Sequence, residues 1–116
     1  MHELSVCQSL LDQVSRIAAE HHATIVDKIF LQVGPLSGVE PDLLQNAFPF
    51  ARANTVAENA ELVIHTLPIR IKCQTCSAES DATANKLVCA ECGDWHTQLL
   101  SGDELLLERV ELRSEH

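Results

Sequence analysis

The segment CQTCSAESDATANKLVCAEC constrains this 116-residue chain more than any other stretch. It sets Cys73 two residues from Cys76, runs on for twelve residues, and sets Cys89 two residues from Cys92. Two short-spaced pairs can each clasp one side of a metal ion, and the loop between them lets the pairs meet at tetrahedral angles. Thiolates in that arrangement favour zinc, with an iron–sulfur cluster as the less favoured occupant. A lone Cys-x2-Cys would suit a redox motif, but two in one segment are better explained together. Four bound thiolates leave no coordination position for water, so the ion is expected to brace the structure rather than to catalyse. The segment has few large apolar side chains, which makes its folding depend on the ion. It does not resemble a zinc deaminase, because CAEC lacks the proline of PCxxC and no HxE triplet precedes it.

Charge narrows the class further. Eight basic against seventeen acidic residues give a net charge of −9, with no Lys/Arg cluster to offset it. Phosphate backbones are repelled by such a chain, which argues against nucleic acid and suits cations or basic protein surfaces. No apolar run approaches the ~20 residues of a membrane span. The first residues carry Glu3 and Asp12 and no basic stretch, so a secretory signal is not expected and the expected compartment is the cytoplasm. In a reducing compartment close cysteine pairs are metal ligands rather than disulfides. Phe30, Phe48, Phe50 and Trp95 are the only aromatic residues other than histidine, so the core must rest on Leu, Val, Ile and Ala.

Leu4, Cys7, Leu10, Leu11, Val14, Ile17 and Ala18 recur at helical spacing and predict an amphipathic helix from about Leu4 to Glu20. Cys7 falls on its apolar stripe and reads as a small buried hydrophobe. Ile29, Leu31 and Val33 alternate with Lys28, Phe30 and Gln32, a strand stopped by Gly34-Pro35. SGVEPDLLQNAFPFA predicts a second helix, with Ser37 and Glu40 fitting a capping box, Pro41 in the first turn and Pro49 loosening the second half. ELVIHTLP reads as a strand over Glu61–Pro68, which leads through Ile69–Lys72 into the cysteines. WHTQLL and ELLLERVELR read as two more strands, with a terminal helix as the alternative for the last. Leu106, Val110 and Leu112 share its parity. The expected fold class is α+β: two helices packed on a small mixed β-sheet, with an inserted zinc-ribbon-like four-cysteine module. Residues 1–70 plus 102–116 form the first expected domain, and residues 71–101 the zinc-binding one.

The opening MHE offers a second chemistry. The Met1 amine and His2 backbone nitrogen close a five-membered chelate ring, and the His2 backbone nitrogen and Nδ1 close a six-membered one. With the Glu3 backbone nitrogen in reach, such a set favours square-planar Ni(II) or Cu(II). By itself the motif is also what an ordinary helix start looks like.

MHELSVCQSLL, VGPLSGVE, the two cysteine pairs and the closing GDELLLERVEL together resemble the HypA/HybF family of [NiFe]-hydrogenase maturation nickel-incorporation proteins, essentially from end to end. The resemblance implies a nickel metallochaperone and not an enzyme, with Ni(II) as transferable cargo and Zn(II) as a structural cofactor. By it His2 is the indispensable nickel ligand, with Met1 and Glu3 contributing nitrogens. Glu40 is an outer ligand or supports the ligands, and Cys73, Cys76, Cys89 and Cys92 hold zinc. The implied partners are a HypB-type maturation GTPase and the hydrogenase large-subunit precursor, and some relatives also serve urease. A homodimer is compatible with two modules joined through Arg70–Lys72. CAEC departs from the CPxC of many relatives, which predicts a looser second turn. His96, four residues beyond Cys92, is the nearest counterpart of a histidine that joins nickel in some relatives. The reading from another class is a zinc-ribbon protein-interaction module without a nickel role.

Overall fold

The structure, a computed structural model, describes residues 2–114, with His2 described by its backbone alone. Helix α1 (His2–Glu20) leads through a short turn into strand β1 (Ile25–Val33), which is followed by α2 (Pro41–Ala51) and β2 (Glu61–Thr66). Strands β3 (Ile69–Cys73), β4 (Glu79–Ala82) and β5 (Thr97–Ser101) come next, and β6 (Leu105–Arg113) closes the chain. The α+β expectation is met by two helices and two small sheets.

The first sheet is mixed, in the order β2-β1-β6, with β1 parallel to β2 and antiparallel to β6. The central strand is the most apolar, and Val26, Ile29, Leu31 and Val33 are buried on one face. Cys7, Leu11, Val14 and Ala18 recur every three or four residues along α1 and pack there, with Leu44 and Phe48 from α2. Each of the larger of these, such as Leu11, Val14, Leu44 and Phe48, contributes about 1.5–3 kcal/mol when removed from water. Cys7 is fully buried and donates to the Leu44 carbonyl at 3.6 Å; burial first, and then the charge of Glu3, push its thiol pKa up.

Three local expectations are corrected. The capping box does not form, because Glu40 is extended (φ −88°, ψ 116°) and stands outside the helix as its N-cap residue. The cause is Pro41, which suits the first helical position and disfavours helical backbone in the residue before it. Ser37 Oγ instead accepts the Val39 N–H at 3.2 Å. In β6, Leu107 rather than Leu106 takes the core side: Leu107 pairs with Leu31 and Arg109 with Phe30, leaving Glu108 as an extra, bulged residue. A bulge resets the alternation that a strand otherwise imposes. Finally, β4 was not expected, and Glu61–Pro68 stops as a strand at Thr66.

The second sheet, in the order β4-β3-β5, is wholly antiparallel. It is inserted between β2 and β6, and both links, at residues 67–68 and 102–104, leave from the same end of the first sheet. There two glycines cross. A Cβ on Gly34 would lie 2.1 Å from the Gly102 carbonyl oxygen, and Gly102 itself has φ +121° against Ile69. Gly34 N–H donates to the Glu104 carbonyl (2.8 Å) and Leu36 N–H to that of Gly102 (2.7 Å), so the crossing is also bonded. Gly34→Ala must therefore displace backbone. We expect a loss of about 1–3 kcal/mol in urea unfolding of the metal-loaded protein, and an unchanged midpoint would contradict the close approach.

Candidate metal centre

The four cysteines sit on two turns built to one plan. In the first, the Thr75 and Cys76 N–H groups each point at Cys73 Sγ from 3.4 Å. In the second, Glu91 and Cys92 N–H groups point at Cys89 Sγ from 3.4 and 3.5 Å. The Ser77 N–H bonds the Cys73 carbonyl at 3.0 Å and the Gly93 N–H that of Cys89 at 2.9 Å. Ser77 (φ +65°) and Gly93 (φ +77°) take the same left-handed backbone after each pair. The expectation of a looser second turn is not met. Ala90, where a proline would have no donor, gives its N–H to Ser80 Oγ at 3.3 Å.

The loops bring the two turns face to face. Cys73 and Cys92 sulfurs are 3.6 Å apart, as are those of Cys76 and Cys89, and all four lie within 4.8 Å of one another. A tetrahedral ion with metal–sulfur bonds of about 2.3 Å needs sulfurs ~3.8 Å apart, so the donor set fits a zinc-sized tetrathiolate site. Thiol acidity alternates around the cluster. The Cys76 backbone N–H lowers the Cys73 pKa to about 7, and the Cys92 N–H likewise lowers that of Cys89. The Ala78 and Asp94 N–H groups favour the thiolates of Cys76 and Cys92, but their sulfur neighbours outweigh this. Cys76 rises, and Cys92 is pushed up to about 12. Four thiolates so close require a cation to balance them.

Asp94 ties the turns together. Its carboxylate accepts the Thr75 hydroxyl from the first turn, the His96 N–H (3.1 Å) and His96 Nδ1 (2.8 Å), and these contacts lower its pKa, the Thr75 bond most. The His96 ring also stacks on Trp95, with centroids 3.9 Å apart. His96 is therefore engaged beside the cysteines, and among the described residues the only cluster of three or more metal-binding groups is the four cysteines. Sequence reasoning missed Thr75 and Asp94, since neither stands at a ligand spacing.

The N-terminal candidates are described only in part. Met1 and the His2 imidazole, like His116 at the other terminus, lie outside the described residues. The α1 helix does begin at His2, with Glu3 in its first turn. Glu40, exposed, is the N-cap residue of α2, whose start lines a hollow with Val33, Gly34 and Thr66. Both helices run antiparallel to β1 and pack side by side, so both begin at the sheet end from which the cysteine segment leaves.

Fold and site define a small metal-binding protein: an α+β body carrying an inserted tetracysteine module. The family profile described as "Hydrogenase/urease nickel incorporation, metallochaperone, hypA" matches residues 1–112. Hydrogenase maturation factor HypA of Nitrosospira multiformis is 46% identical over 112 residues, covering 97% of each chain. That of Aquifex aeolicus is 42% identical with the same coverage. The fold matches the solution structure of the Ni metallochaperone HypA from Helicobacter pylori with a TM-score of 0.69 at 25% identity, over 97% of this chain and 98% of that one. A second solution structure of a HypA protein matches with a TM-score of 0.74 at 26% identity, over 99% and 98%. The chain belongs to the HypA family of nickel-incorporation metallochaperones.

At about pH 8 the Cys76 and Cys92 thiols of the metal-free protein hold their protons, so a divalent ion bound by all four sulfurs must displace both. A pH-stat titration with zinc should release at least two protons per ion, and affinity should fall as pH drops toward 6. Release of fewer than one would mean that the four sulfurs do not all ligate.

Proposed function

We propose that the chain binds Ni(II) at its Met1-His2-Glu3 terminus and delivers it for [NiFe]-hydrogenase maturation, while zinc occupies Cys73, Cys76, Cys89 and Cys92. Membership of a nickel-incorporation family carries this reading, and the start of α1 at residue 2 supports it. The first N–H groups of a helix have no partners within it. The backbone nitrogens of His2 and Glu3 can therefore turn to a metal without breaking the helix. Once deprotonated they form a planar set with the Met1 amine and His2 Nδ1, a geometry suited to Ni(II). Glu40, at the start of the neighbouring helix, is suited to an outer position where its carboxylate offsets the ion's charge.

Zinc is the resident ion because a tetrathiolate has no open position, and it supplies structure rather than reactivity. The nickel is cargo. Amide nitrogens that can take up protons again, on a chain end, make ligands that an acceptor can replace one at a time. Copper would bind such a set more tightly, so selectivity has to come from metal supply and partners. We assign those partners to a HypB-type maturation GTPase and the hydrogenase large-subunit precursor, and the setting to the cytoplasm. Residues 1–70 with 102–116 act as the nickel-binding body and 71–101 as the zinc module.

Calorimetry and visible absorption on untagged, zinc-loaded protein test the assignment. One nickel should bind with a planar d–d band. Both should vanish in His2→Ala, and in a form with one residue added before Met1, with zinc content and circular dichroism unchanged. Wild-type nickel affinity in either variant would refute the terminal site and leave an interaction module braced by zinc.

A further inference from the structure

A groove of about 380 Å³ opens one turn along α1 from the proposed nickel site. Its lining is mainly apolar, from Val6 and Leu10 of α1, Leu31 of β1, and Leu105 and Leu107 of β6, with three polar residues of α1, Ser5, Ser9 and Gln13, along the helix side. Helix α1 packs mainly on α2 and only slightly on β6, which leaves the sheet margin partly uncovered. Strand β6 is that margin, paired among the described residues on one side only, to β1. Leu105, on the core side of β6 opposite Val33, remains 38% exposed.

The charged side chains of the segments at the Leu105 end of the groove are acidic, while Arg109 lines the hollow that adjoins its other end. Three segments meet at this end of the molecule: the start of α1, the turn from β1 into α2, and the link from β5 to β6. They contribute Glu3, Glu40, Asp42, Asp103 and Glu104. Residues 1–15, 33–51 and 87–108 contain no lysine or arginine at all. An occupant that is apolar over these leucines and basic where it leaves toward the start of α1 complements this surface.

We propose that this groove is where the protein exchanging nickel with the chain docks, through a short apolar segment flanked by lysine or arginine. This rests on the nickel assignment above and adds to it the surface and the chemistry of the partner. An apolar segment laid along the open edge of β6 fills the space over Leu105 and Leu107. Its basic flank meets the carboxylates and brings the incoming ligands to the start of α1. Docking and metal exchange then share one end of the molecule, which shortens the path over which a bare ion would otherwise hydrolyse or be lost.

The probe is a capped peptide of alternating valine and leucine with two lysines at each end, titrated into zinc-loaded, ¹⁵N-labelled full-length protein. It should shift the Val6, Leu10, Leu105 and Leu107 amides in a saturable way. Replacing its lysines by glutamates, or making Leu105→Asn, should weaken binding about tenfold or more. Leu106→Asn, on the opposite side of β6, should leave it unchanged. His2→Ala should keep peptide binding while losing nickel, so the docking and nickel assignments fail independently. A lysine peptide ending in two histidines should draw nickel from the wild type faster than from Leu105→Asn, at equal nickel affinity. Equal binding of both peptides, shifts confined to other surfaces, or equal transfer rates would overturn the proposal. So would concentration-dependent self-association that shifts these same amides without peptide, because the groove would then belong to a second copy.

Discussion

The arrangement depends on one constraint: β1 and β2 lie side by side and point the same way. Parallel neighbours cannot be joined by a tight turn, so α2 must carry the chain back along the sheet before β2 begins. The four-residue link after α1 makes that helix antiparallel to β1 as well. Both helices therefore start where β1 and β2 end. Strand β6 runs the other way and begins at this end, so the inserted sheet has to leave and return there. One pairing choice thus gathers both helix starts, the Glu40 carboxylate and the root of the cysteine module.

Gathering the pieces does not fix them, and two different kinds of bond do that work. Within the cysteine module an ion held by the four sulfurs would supply the core. The described side chains of the second sheet bury little beyond Ile69, Ile71, Cys73 and Cys89, too few to hold three short strands by the hydrophobic effect alone. Asp94 adds polar bonds across the two turns, which align the sulfurs but do not replace the metal. At the root, where no metal reaches, backbone meets backbone. Only glycines allow the Gly34–Gly102 approach, and Gly102 at φ +121° would be strained as any other residue. The module is braced at its base by steric fit and, with an ion on the four sulfurs, internally by coordination.

What the sequence made legible follows the physics of each element. Helix α1 and strand β1 bury one continuous face each, so their periods of 3.6 and two stand out in the order of residues. The cysteine pairs are legible because ligand geometry dictates their spacing, and their shared bond pattern carries over residue by residue. The bulge at Glu108 was not legible, since it arises from a mismatch between two strands that neither contains alone. The strand ESDA of β4 was hidden for another reason: it is short, polar and held by its neighbour β3 rather than by burial. The start of α2 could have been read correctly had Pro41 been weighed above the Ser37–Glu40 spacing. A proline's fixed geometry outweighs an optional side-chain bond.

Electrostatics at the shared end connects the fold to the cargo. Two parallel helices present two positive dipole ends there, each equivalent to roughly half an elementary charge. Left alone, these would repel a divalent cation. The five carboxylates of this end reverse the sign, and Glu3 and Asp42 stand within the first turns where compensation is strongest. The balance differs from that of the tetrathiolate site, where four anionic ligands would touch the ion directly. At the helix starts the charges lie around the proposed ligands rather than among them. On the proposed assignment a nickel ion is welcomed by the local field, but held by groups that protons or a competing ligand set can reclaim. Retention would then belong to the cysteines and release to the terminus, a division that follows from which charges would touch the ion.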